Sequence, residues 1–145
     1  MKPIKTWILL ADAQTVRIAV NEGPGKGIYG HNVAGLAAPP VTALSDAPGM
    51  TNAAVGPNRG SISDPDLKGQ AEAVFAQSIV AYLDKALQDA AFDRLVLVAA
   101  PAMLGLLRQK LSAPLQAVLL ADLAKDLTHV TLDALPAHLA DVMVV

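Results

Sequence analysis

The stretch Asp93-Arg94-Leu95-Val96-Leu97-Val98-Ala99-Ala100-Pro101 decides the fold. Leu95 to Ala100 is an unbroken apolar run of strand length, and a continuous run, unlike an alternating one, suits an interior strand covered on both faces. Pro101 stops that strand and can open a helix, where its missing amide is not needed. Met103, Leu104, Leu107 and Leu111 then share one helical face, and Ser112 with Pro114 punctuates its end. A strand followed at once by an amphipathic helix predicts the parallel part of an α/β sheet.

On the C-terminal side, Leu115 to Leu123 is ambiguous by period and reads as a short helical turn followed by a strand. A last helix carries Leu135, Leu139 and Val142. Asp133 is preferred to Thr131 as its cap, because Pro136 then falls in the first turn.

On the N-terminal side, Asp64-Pro65 supplies a cap followed by a first-turn proline. Ala71, Val74, Phe75, Ser78, Ile79, Tyr82, Leu83, Ala86, Leu87 and Ala90 then recur at helical spacing, opposite Lys68, Glu72, Asp84, Lys85, Gln88 and Asp89. Phe75 and Tyr82 read as core. Trp7 to Ala11 and Val16 to Val20, joined by Asp12-Ala13-Gln14-Thr15, read as a β-hairpin, and Gly23-Pro24-Gly25-Lys26-Gly27 as a solvated turn. A third strand is expected at His31 to Ala37, before Pro39-Pro40. Residues 45–63 are rich in Gly, Pro, Asn, Ser and Thr, have Arg59 as their only cation, and read as a long flexible loop. The expected fold is a single α/β domain over residues 1–145, with a mixed sheet of about five strands and flanking helices.

Composition agrees. The 145 residues are 53% hydrophobic and 17% charged, and the mean hydropathy is +0.42, which argues against disorder. A net charge of -2 supplies no global positive field, so no DNA partner is expected and any RNA contact must be local. The absence of cysteine excludes disulfides, a thiol nucleophile and thiolate metal sites. The first apolar run breaks at Asp12, short of an export signal, and Leu95 to Leu107 is too short and too interrupted to span a membrane. The expectation is a cytoplasmic protein with no membrane insertion.

Candidate chemistry is sparse. His31, His129 and His138 have no metal-ligand spacing, and no nucleophile elbow, phosphate loop or dinucleotide fingerprint occurs, so no metal or cofactor is implied. Asp12, Asp93 and Asp126 flank strands and, if brought together, would suit a cation-dependent nuclease or phosphodiesterase. The simpler reading makes Asp12 a turn residue and leaves Asp126 beside Lys125 in solvent. Arg17, between Val16 and Ile18, faces water unless it is paired. Asp12, Arg17, Lys125, Asp126 and Thr128 form the candidate polar site.

Several segments together carry a resemblance: Trp7 to Asp12 followed by Val16-Arg17-Ile18; Asp64-Pro65 with Phe75-Ala76; Phe92 to Pro101; Leu104-Gly105-Leu106-Leu107-Arg108; and Lys125-Asp126-Leu127-Thr128-His129. The chain resembles the bacterial host attachment protein family over nearly its whole length. That family is named for attachment to host cells and is similar to the middle domain of archaeal and eukaryotic peptide chain release factors. The resemblance implies a mixed sheet with flanking helices. In release factors a Gly-Gly-Gln loop before a long helix reaches the peptidyl transferase centre. The matching place here, Val55 to Ile62, has Gly56, Arg59 and Gly60 but no Gly-Gly-Gln, which argues against peptidyl-tRNA hydrolysis by that route. The resemblance therefore implies a non-enzymatic interaction module using the 51–63 loop, with Gly56, Asn58, Arg59 and Gly60, toward ribosomal RNA or a protein partner. The apolar helix stripes also allow a homodimer.

Overall fold

In the computed structural model, which describes residues 4–31, 33 and 57–143 and the side chains outside 57–68, the two apolar runs lie side by side. Strand β1 (Thr6–Ala11) pairs in parallel with β4 (Arg94–Ala99), from Thr6 opposite Arg94 to Ala11 opposite Ala99. Every residue of β1 is buried, as are Leu95 to Ala99. Paired on both edges and covered on both faces, these strands need apolar side chains at every position, and each buried aliphatic contributes about 1.5–3 kcal/mol.

Strand β2 (Val16–Asn21) is antiparallel to β1, and β3 (Tyr29–His31) is antiparallel to β2. After helix α1 (Pro57–Gln88) and β4 come α2 (Pro101–Lys110), α3 (Ala113–Val118), β5 (Leu119–Ala124) and α4 (Leu135–Leu139). Strand β5 runs parallel to β4, giving a mixed five-stranded sheet of order β3-β2-β1-β4-β5. The expected α/β architecture and the short helix before β5 are both present.

Alternation divides the core. Trp7, Leu9, Ala11, Leu95, Leu97 and Ala99 meet α1, α2 and α3 through Phe75, Ile79, Leu83, Met103, Leu107 and Leu115. Ile8, Leu10, Ala19, Val96 and Val98 face Leu127, Leu135 and Leu139 from the C-terminal segment.

Local differences from the sequence reading have physical causes. Helix α1 begins at Pro57, so residues 57–63 are helical backbone and Asp64-Pro65 does not start the helix. Either proline suits a first turn, and spacing alone favours neither; Pro65 instead sits inside the helix, where it offers no amide to the carbonyl of Ser61. The rest of the expected 45–63 loop, residues 45–56, lies outside the described residues. The buried stripe of α1 takes in Ala76 and Val80 and leaves Val74 exposed. Ala90, expected in the stripe, adopts φ 59° just past the helix, where Ala91 N donates to Ala86 O at 2.9 Å, an αL closure normally given to glycine. Strand β3 begins two residues before the expected His31, and residues 34–37 lie outside the described ones. Asp133 does not cap α4: the cap position is Ala134, whose amide donates to Thr131 Oγ1 at 3.2 Å and Thr131 O at 3.1 Å, so Thr131 closes the turn instead.

Candidate functional site

The parallel strands direct their carboxyl ends to one side of the sheet, the side on which open α/β folds bind ligands. There β1 leaves through a tight turn. Asp12 Oδ1 accepts from Gln14 N at 2.8 Å and Thr15 N at 2.6 Å, while Asp12 N donates to Thr15 O at 2.9 Å. This is the Asx chemistry that the sequence suggested.

Strand β5 ends at the same side and leads to Asp126, Leu127 and Thr128. Thr128 is buried, and its Oγ1 lies 2.6 Å from Asp126 Oδ1 and 3.2 Å from Asp12 Oδ2. A hydroxyl has one hydrogen to donate, so the shorter contact takes most of it. Thr128 N also donates to Asp126 Oδ1 at 3.2 Å. The hydroxyl bond, then the amide bond, hold the Asp126 carboxyl below its ordinary value, with a smaller contribution from His129.

Arg17 is the paired exception, not a water-facing residue. Its Nη1 donates to Thr128 O at 2.8 Å and Val130 O at 2.6 Å, across 111 and 113 residues of chain. Asp12, Arg17, Asp126 and Thr128 thus join into one network that ties the C-terminal segment to the β1–β2 turn. Lys125, the fifth expected member, is exposed and makes no hydrogen bond or ion pair among the described residues.

Asp93 is at the opposite end. It precedes β4, where its Oδ2 accepts from Lys5 N at 2.9 Å, whereas Asp12 follows β1. Because β1 and β4 are parallel and in register, about 20 Å of strand separates the two carboxylates. The three-aspartate metal constellation is therefore not assembled, and no group of three potential ligands occurs among the described residues.

Of the expected partner-binding positions, Gly56 lies outside the described residues. Asn58, Arg59 and Gly60 belong to the helical backbone of α1 and not to a loop. Sequence reading missed an aromatic cluster: Trp7 lies 4.6 Å from His31 and 4.8 Å from Phe92 between ring centroids, and His31 Nε2 is 2.9 Å from Tyr82 Oη. It also missed the bidentate Arg108–Asp122 pair, at 2.9 and 2.7 Å, which joins α2 to β5 and holds the Asp122 carboxyl low. No periodic signal links residues brought together only by a parallel crossover.

Fold and site define a mixed α/β domain whose carboxyl-end polar network is engaged in holding its own chain together. The family model described as "Protein required for attachment to host cells" matches residues 7–139, and the chain belongs to this host attachment family. A comparison with curated proteins gives no match. Among the described residues no helix is long and apolar enough to cross a membrane.

Proposed function

We propose that the chain is a non-enzymatic interaction module, related to the release-factor middle domain, that meets ribosomal RNA through the start of α1 around Gly56, Asn58, Arg59 and Gly60. The observation that carries this reading is a mismatch of length. Among the described side chains of α1 the buried ones run from Ala71 to Leu83, about 18 Å of axis, close to the length of the strands they cover. The helix begins fourteen residues before Ala71, adding about 21 Å of axis that the strands' length does not require. Arg59, in that additional part, brings the charge that a phosphate backbone needs. The polar network at the carboxyl ends supports binding over catalysis, since Asp12, Thr128 and Arg17 spend hydrogen bonds on turn amides, on one another and on backbone carbonyls. A translation-side role would make the attachment named by the family an indirect outcome.

Sedimentation of lysate through a sucrose gradient at low and high salt tests this reading. Co-migration with ribosomal particles, weakened by salt and by Arg59→Ala, is the expected result. Protein at the top of the gradient in every condition turns the reading toward a protein partner.

A further inference from the structure

Strand β3 pairs β2 only as far as Ile18, so Val16 and Arg17 have no partner strand on that edge among the described residues. A cavity of about 270 Å³ opens there, with Arg17, Val16, Gly30, His31, Val33 and Leu132 in its wall. Arg17, Gly30 and Leu132 line it on the face under the C-terminal segment, and Val16, His31 and Val33 bound it on the helix side of the strand edge.

Arg17 decides what such a cavity takes. A guanidinium has five N–H donors in a fixed plane. Both hydrogens of Nη1 are used by the Thr128 and Val130 carbonyls, which clamp the plane. The remaining donors, on Nε and Nη2, have no partner among the described residues, and they form the edge that grips two oxygens of one oxyanion side by side. No carboxylate of the described residues lies within ion-pair distance of Arg17. The nearby Asp12 and Asp126 carboxylates are occupied by turn amides and Thr128.

We infer that this cavity binds a small organic oxyanion, its charged head on the Nε–Nη2 edge of Arg17 and its apolar body against Leu132 and the Gly30 backbone, on the face of the sheet that Arg17 shares with them. A phosphate monoester and a carboxylate share the required pair of oxygens. The volume exceeds that of a bare inorganic anion and leaves room for a body about the size of one aromatic ring.

Calorimetric titration of the full chain with phenyl phosphate, benzoate and inorganic phosphate tests this. Saturable binding of phenyl phosphate or benzoate is expected, the tighter of the two naming the head group, with inorganic phosphate weaker by about tenfold for lack of a body. Arg17→Lys keeps the charge, removes the fork and weakens binding by about tenfold. Gly30→Val narrows the cavity on the Arg17 side without removing the Arg17 clamp, its first added carbon meeting Leu132 Cδ1 at an ordinary 3.8 Å, and it weakens binding by about tenfold. Circular dichroism verifies folding, and if Arg17→Lys fails to fold, Gly30→Val decides alone. Failure of both aromatic anions to bind saturably overturns the inference, as does affinity unchanged in Gly30→Val.

Discussion

On one face of the sheet Trp7, Leu9, Leu95 and Leu97 lie under three helices; on the other, Ile8, Leu10, Val96 and Val98 lie under a C-terminal segment whose one helix has five residues. The first cover satisfies its own backbone through helical hydrogen bonds and needs only apolar packing to stay in place. The second is mostly turns, so some of its carbonyls need donors from elsewhere. Arg17 supplies them to Thr128 and Val130, and Asp12 and Asp126 hold the Thr128 hydroxyl. A regular cover is sealed by area, an irregular one by a few placed polar bonds.

Phe75→Ala, under the helices, has the largest expected effect: a loss of about 3–5 kcal/mol, read as a lower urea midpoint with an unchanged slope. Arg17→Met leaves two carbonyls without their donor and costs about 1.5–3 kcal/mol. Amide exchange in residues 127–143 should accelerate far more than in β1. Equal acceleration in both places would make the two faces one cooperative unit and break the comparison.

Thr128→Val costs about 1 kcal/mol and lets the Asp126 carboxyl rise toward 3.8, as measured by NMR titration. Because Asp126 titrates lower folded than unfolded, its contribution is complete above 3.8 and disappears as pH falls through the folded value. The variant should therefore lose less stability on acidification than the parent. Ala90→Gly has the smallest effect, a gain of about 0.5 kcal/mol in thermal unfolding, as relief of the αL conformation outweighs glycine's extra chain entropy.

What could be read in advance follows the same division. Leu95 to Ala100 and Trp7 to Ala11 announced the central strands because burial on both faces leaves a continuous local signature. Met103, Leu104 and Leu107 announced α2 through their spacing. The polar network was legible as a set of residue types, and Asp12 as a turn former, but its connections were not. Arg17 meets Thr128 and Val130 only after the chain has crossed the sheet, and nothing in the neighbourhood of either residue encodes that meeting. Asp93 misled for the same reason, since flanking a strand does not say which end of the sheet is reached. The start of α1 was hidden because Pro57 and Pro65 both satisfy the rule for a first turn, and glycine and serine around them read as loop.

Trp7 is the chain's only tryptophan, and it is enclosed by His31, Phe92 and Tyr82 on the helix-covered face. The molecule thus carries an optical reporter for half of its own core. Indole emission follows the packing of the helices and of β3 while remaining blind to the C-terminal cover. Recorded beside amide exchange on the same unlabelled sample, it separates the opening of one face from that of the other.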